Sequence, residues 1–549
     1  MKKIWIILSV LAVIIIGAFF YLKFRKSTDF EPLIKAKLQQ LVSDGSNGLY
    51  VLDIDKIDVD ILKSTVFIHN LKLNVDSARL KVLEAQNTAP VDVYKISLSD
   101  LAVDGLNIGD VIEKKNIDLD VLNLKNPTIE IFHPVGKSNQ ASKDTSTLYS
   151  RIAKGLGHFY IKNLAISNIN FKYHNIEHEE RLTAFKNVSM KFRDIEIDST
   201  TQFDTTRFLY AKDALIYLND YSFRTADSLY FVKADSLTLH AAQGILDVTN
   251  LSLEPRGNKT EFSKKLKTYQ DRYTIHFAKA SFNKVDWYHL FLSEGFTAKE
   301  AELDNGSMEI YANRNITPST KSKVGNYPHQ MLMKLDFPVE VDTLNIKNFK
   351  FSYEELNPKT QKTGTIIFDK VAGVITNITN IKENIAANNL MQVKANCSLM
   401  DKGSFNAVFT FDLTKTKDGS FSVDANLGPM DGTALNPVCV PLGLFEINSL
   451  AVKKLKTHIT GDSYNAPSST FFVYDNLKIT ALKADDDTKK LKSRKFLSFI
   501  ANTFIVNKSN TSVKETSSPK QASFKRDPSR SFFSLIWKCL LESIKDTVK

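Results

Sequence analysis

A degenerate ten-residue pattern recurs along this chain and limits what it can fold into. Positions 1 and 3 are apolar, position 5 is usually Asn or Gly, and positions 6, 8 and often 10 are apolar again. Copies begin at Val66 (VFIHNLKLNV), Leu101 (LAVDGLNIGD), Leu122 (LNLKNPTIEI), Leu164 (LAISNINFKY), Leu246 (LDVTNLSLEP), Leu344 (LNIKNFKFSY) and Leu450 (LAVKKLKTHI). Their fifth residues are Asn70, Gly105, Asn126, Asn168, Asn250, Asn348 and Lys454. Apolar residues alternate with polar ones on either side of that residue, but the parity switches across it. A strand sends successive side chains to opposite faces, so keeping the apolar ones on one face demands an extra residue, a bulge or a corner. Asn and Gly tolerate the positive φ that such bends require. The copies start from about 21 to about 106 residues apart, which excludes a solenoid of fixed period.

Alternation of period two begins near residue 49, with Leu52/Ile54, Ile57/Val59/Ile61 and Leu71/Leu73/Val75, and persists to about residue 480. Gly and Pro total only 36 of the 549 residues, well below the roughly 12% of average proteins, which suits long strands with few tight turns. The predicted fold is therefore mainly β: an extended, twisted, antiparallel-rich sheet forming a groove, with a few short helices. Helical candidates fall at 27–48, where Pro32 suits a first turn and Gly45 and Gly48 a stop, and near 146–156, 286–294 and 379–389. Polar linkers are expected near 136–147, 313–328 and 507–530. The β region thus divides into 49–312 and 329–482, followed by a Lys-rich loop and a C-terminal helix over 483–549.

Ile4–Leu22 (IWIILSVLAVIIIGAFFYL) is an unbroken apolar run flanked by Lys2, Lys3, Lys23, Arg25 and Lys26. Its nineteen residues span about 28 Å as a helix, close to the hydrocarbon thickness of a bilayer. Phe19-Phe20-Tyr21-Leu22-Lys23 offers no small-residue cleavage site. The run reads as an uncleaved, single-span signal anchor. Flanking charge favours neither orientation strongly; the basic N-region and long following domain suggest a cytoplasmic N-terminus with the bulk exported.

Ser529–Val548 places Phe532, Phe533, Ile536, Leu540, Ile544 and Val548 along one side of a helix, with Trp537 beside them and Asp527-Pro528 at its start. With several charges in about twenty residues, it is an amphipathic helix and not a second span. Phe532, Phe533, Ile536, Trp537 and Leu540 are candidates for contact with a membrane interface; closing one end of the sheet is the alternative.

The net charge is +11, from 72 Lys+Arg against 61 Asp+Glu. Part of this excess reads as an ordinary solubilising surface bias; the lysines also gather beside the apolar run and again between about 483 and 530, a placement that favours a membrane surface over nucleic acid. Cys397, Cys439 and Cys539 are too few and too scattered for a disulfide framework or a Cys-rich zinc site. No P-loop, nucleophile-elbow or dinucleotide fingerprint occurs. His174 and His178, with Glu177 and Glu179, mimic a metal pair but follow a strand, and Asp485–Asp487 with Lys489 and Lys490 reads as a solvated loop. No catalytic residue, metal or cofactor is expected, and an enzyme is not.

The anchor, the helix ending at Gly45 and Gly48, and the strand pair Leu49–Val75 resemble the AsmA-like family of envelope proteins. So does Leu427–Gly461 (LGPMDGTALNPVCVPLGLFEINSLAVKKLKTHITG). The closing run Phe472–Lys549 (FVYDNLKITALK, LSFIANTFIV, RDPSRSFFSLIWKCLLESIK) is similar to a Bacteroidota-type branch of it. The resemblance implies a β-groove protein anchored in the bacterial inner membrane, with its bulk in the periplasm. Such a protein moves or shields phospholipid or other acyl-chain lipid for outer-membrane homeostasis, with an outer-membrane or periplasmic protein as a further partner. Candidate groove residues are Ile68, Leu73, Ile129, Ile131, Phe171, Tyr173, Phe351 and Tyr353. The alternative is a non-catalytic scaffold or assembly factor for envelope proteins, which a sealed apolar face would favour.

Overall fold

The computed structural model describes residues 31–549 except 61–62, 87, 91, 106–115, 134–157, 176–182, 202–203, 205, 226, 293–294, 319–321, 485–490, 494–506, 513–519 and 549. The apolar run Ile4–Leu22, the helical candidate at 146–156, the linker at 136–147, the acidic loop at 485–487 and the LSFIANTFIV stretch lie outside the described residues, wholly or in the main. Among the described residues no helix is long and apolar enough to cross a membrane. The chain is mainly β, with a long mixed sheet and few short helices. It divides into two compact units, Met1–Phe223 with Ala234–Val248 and Phe291–Ser293, and Arg224–Lys233 with Thr249–Leu290 and Glu294–Lys549.

The first unit opens with the helix Glu31–Gly45, shorter than the predicted 27–48. Strands β1 (Tyr50–Asp60), β2 (Thr65–Val75) and β3 (Val93–Asp104) pair antiparallel. β3 then pairs with both β4 (Asn116–Lys125) and β5 (Thr128–His133), and these two run parallel to one long strand, β6 (His158–Asn175). β7 (Thr183–Ile197) and β8 (Ala211–Arg224) follow antiparallel. β9 (Tyr230–His240) and β10 (Ile245–Pro255) each contribute residues to both units.

In the second unit β11 (Arg272–Asn283) pairs antiparallel with β12 (Phe296–Asn313), which runs parallel to β13 (Val339–Leu356). The polar stretch near 313–328 is part of the crossover that this parallel pair requires. β14 (Thr363–Thr379), β15 (Leu390–Leu399), β16 (Gly403–Asp412) and β17 (Phe421–Leu427) continue antiparallel. After the two-residue β18 (Met430–Asp431), β19 (Phe445–Gly461) pairs with β17, and β20 (Asn465–Ala484) pairs with β19. The short strands β21 (Leu491–Ser493) and β22 (Lys520–Lys525) both pair with β20. β22 falls inside a stretch read from sequence as a linker: its SFK alternation is short and its neighbours are polar, so only pairing with β20 reveals it. Short helices occur at Trp287–Leu292 and Lys382–Ala387, inside the predicted windows.

At the parity switches the backbone enters the left-handed region, and on β6 and β13 the register shifts there as a bulge. Asn70, Asn126, Asn168, Asn250 and Asn348 have φ of 50°, 51°, 59°, 48° and 46°, and Gly105 has 75°. Lys454 is the exception: the register shifts between Val452 and Lys454, and the positive φ falls on Asn476 of the partner strand β20. On β13 the extra residue lies between Ile346, opposite Gly373, and Phe349, opposite Val371. Three residues of β13 thus match two of β14, which brings Phe349 back to the face of Ile346. The bulge asparagines of parallel neighbours also meet. Asn168 Nδ2 donates to Asn126 Oδ1 at 3.0 Å, and Asn348 Nδ2 to Asn305 Oδ1 at 2.5 Å.

Candidate functional site: an apolar sheet face

Backbone register shows which side chains share a face in the second unit. Tyr273, Ile310, Tyr353 and Ile366 form one row across β11–β14; Ile275, Met308, Phe351 and Phe368 form the next; Phe277, Gly306, Phe349 and Val371 the third. Past the bulges the face continues as Phe282, Ala301, Leu344, Ile375 and Val393, then Phe409, Val423 and Ile459 on β16, β17 and β19. Gly306 has a structural reason: a Cβ there would lie 2.5 Å from the Phe277 ring and 2.8 Å from the Phe349 ring. Without it those two rings stack over β12, 5.6 Å between centroids.

Cover over this face is uneven. The C-terminal helix Phe532–Val548 buries Phe532, Leu535 and Cys539 against Phe411, Phe421, Val423 and Ile459, while Leu540, Ile544 and Val548 pack over a neighbouring cluster containing Leu399, Leu455 and Phe472. Val423 and Ile459 are accordingly 1% and 0% exposed. On β13, by contrast, Leu344, Ile346, Phe349, Phe351 and Tyr353 are only half-buried. β13 and β16 are three strands apart, about 14 Å along the sheet. Yet Phe532 packs against Phe411 on β16 at 5.8 Å while its neighbour Phe533 packs against Phe351 on β13 at 6.3 Å. The start of the helix thus reaches across the face from β16 to β13, and an aromatic series Phe351–Phe368–Phe405 runs beneath it at 6.0 and 5.7 Å.

A polar margin bounds the face beyond Tyr353. Arg314 donates to Glu355 at 3.0 Å and to the Tyr353 hydroxyl at 3.1 Å, and that hydroxyl donates to Glu355 at 2.6 Å. Arg314 also lies 4.3 Å over the Tyr269 ring, whose hydroxyl donates to Asp271; Lys323 pairs with Asp271 at 3.1 Å. Burial raises the Tyr353 phenol well above its ordinary value, with Arg314 opposing. The opposite face of the same strands is polar. It holds a cavity of about 820 Å³ lined by groups including Lys259, Arg272, Glu309, Lys350 and Glu354. Lys259 bridges Glu309 and Glu354, and Arg272 pairs with Glu309.

The predicted groove residues of the first unit sit differently. Ile68, Leu73, Ile129 and Ile131 are 2%, 3%, 7% and 0% exposed, inside a core that the helix Glu31–Gly45 joins through Ile34, Leu38 and Val42. Phe171 packs half-buried against that core. Tyr173 pairs with Ile131 and Thr183 through its backbone, and its side chain lies outside the described residues. Of the helix candidates, Phe532 is core, Ile536 and Leu540 are half-buried, and Phe533 and Trp537 face outward at 55% and 39% exposed.

His178 lies outside the described residues, and His174 stacks on Phe132 at 4.7 Å. His158, Glu196 and Asp198 could offer ligand atoms within 4.8 Å of one another. Arg207 already occupies Glu196 at 2.7 Å. Burial would raise the Asp198 carboxyl, but bonds from Thr200 and Thr201 outweigh it and hold the group down to about 2. Glu196 is thus paired with Arg207, and Asp198 is an ionised carboxylate held by the two threonines. Burial pushes the thiols of Cys397, Cys439 and Cys539 up to about 11, so they are protonated at neutral pH.

Sequence reading missed further copies of the repeat: Phe472–Ala481 (FVYDNLKITA) on β20, with Asn476 at φ 54°, and Ala301–Ile310 (AELDNGSMEI) on β12, where small residues occupy positions 1 and 6. Asn305 at the fifth position of the β12 copy, with φ of 49°, was the available signal. No protein-family model matches the chain, and no curated protein matches it.

Proposed function

We propose that this chain is a lipid-handling protein of the bacterial envelope, of the AsmA-like kind, which holds acyl chains against the apolar face of β11–β15. In this reading Ile4–Leu22 anchors it in the inner membrane, the bulk lies in the periplasm, and no step is catalytic. One observation carries it. A continuous apolar face is closed where the C-terminal helix covers it and half-open where nothing among the described residues does. Apolar faces of this extent are stable in water only when something apolar covers them. The bound class is phospholipid or another acyl-chain lipid, because a trough without ion pairs on its floor suits a hydrocarbon chain better than a polar ligand. The sealed face of the first unit, where Ile68 and Ile131 are core, favours the second reading, a scaffold for envelope proteins.

Mass spectrometry of the purified full chain distinguishes them. Acyl lipid retained at a fixed ratio and lost on Phe351→Asp supports lipid handling. A lipid-free chain that crosslinks to one envelope protein supports the scaffold.

A further inference from the structure

We infer that Phe533 is the end wall of the trough in the second unit and sets how long an acyl chain it accepts; this rests on the acyl-lipid reading above. The C-terminal helix presents two kinds of aromatic residue to the apolar face. Phe532 is core, ringed by Tyr327 at 4.8 Å, Phe421 at 4.9 Å and Phe411 at 5.8 Å, and holds the helix in place. Phe533, the next residue, adds little to that core: it is 55% exposed and its ring lies 6.3 Å from that of Phe351 on the apolar face. Its ring therefore lies where the half-buried part of the face meets the helix-covered part. The face is continuous with the one that already binds an apolar helix, so an occupant of the open part meets Phe533 edge-on and cannot pass beneath Leu535 and Cys539, which are 2% and 0% exposed.

Chemistry gives this wall a measurable consequence. Each methylene buried against the trough tightens binding about fourfold (about 0.8 kcal/mol), and a methylene with no apolar surface left to meet adds nothing. A homologous series of ligands must then reach a plateau where the chain meets the Phe533 ring.

The full chain, kept soluble in an amphipathic polymer, is titrated with saturated fatty acids of increasing length in competition with a fluorescent fatty acid. Wild type is expected to gain about fourfold per methylene and then level off. Phe533→Ala, which leaves the buried row Phe532, Leu535 and Cys539 intact, is expected to level off at a longer chain, and Phe533→Trp at the same or a shorter one. Identical plateaus for wild type and Phe533→Ala would overturn the assignment of Phe533 while leaving acyl binding in place. Failure of wild type to bind any of the series would overturn the acyl reading and this inference with it.

Discussion

Asn348 shows what a single residue contributes to this sheet. It sits at φ 46°, where a residue with an ordinary side chain costs roughly 1–2 kcal/mol and Asn or Gly much less. Asn348→Gly is therefore expected to change stability little beyond the loss of its bond to Asn305, whereas Asn348→Val should destabilise the second unit by about 2 kcal/mol, read as a drop in the midpoint of urea unfolding. Equal midpoints for the two variants would mean that the bulge is not what selects Asn. His329 makes a second prediction. It is fully buried, stacks on Phe411 at 5.0 Å, and burial lowers its pKa from 6.5 to about 4. The unfolded chain binds the proton first, so stability contributed by neutral His329 is present above pH 6.5 and is lost as pH falls toward 4. The loss approaches about 3 kcal/mol at the acid end. Unfolding midpoints of wild type should fall over that window more steeply than those of His329→Phe; parallel pH profiles would exclude the histidine as the cause.

Among the elements, the C-terminal helix carries the sharpest contrast between neighbouring positions. Phe532→Ala removes a ring buried at 5% exposure and should cost about 3–5 kcal/mol of local stability. Phe533→Ala should cost under about 0.5 kcal/mol, since that ring is mostly exposed. Hydrogen exchange of the Phe532–Val548 amides tests both: rapid exchange in the first variant, protection close to wild type in the second. The amphipathic character of this helix was legible from residue spacing, and so was the parity switch that marks the bulges, because both depend on local geometry alone. The aligned parallel pairs, β4 and β5 with β6 and β12 with β13, were not. The periodicity of a half-buried strand is the same whether its neighbour runs parallel or antiparallel, so the sheet is antiparallel-rich as expected while the parallel pairings within it were not foreseen. Which residues a helix would cover was equally hidden. Ile68 and Phe351 share the same pattern, yet Ile68 is core in its unit and Phe351 only half-buried in its own, a difference decided by which strands a helix covers.

For the whole molecule, each unit carries the same device: an apolar sheet face with an amphipathic helix covering part of it, Glu31–Gly45 in the first and Phe532–Val548 in the second. The charge excess of +11, gathered beside the apolar N-terminal run and between about 483 and 530, suits attraction to anionic lipid surfaces, a long-range and salt-screened effect. Lipid handling, the central claim, is a statement about which side of the second sheet meets hydrocarbon. It is tested most directly by photocrosslinking in living cells, with a benzophenone side chain placed in the full chain at Phe351 or Phe368 on the apolar face, and at Lys350 on the opposite one. Crosslinked acyl lipid at Phe351 and Phe368 and none at Lys350 is the predicted result. Equal labelling at all three positions, or protein adducts without lipid at Phe351, would contradict it.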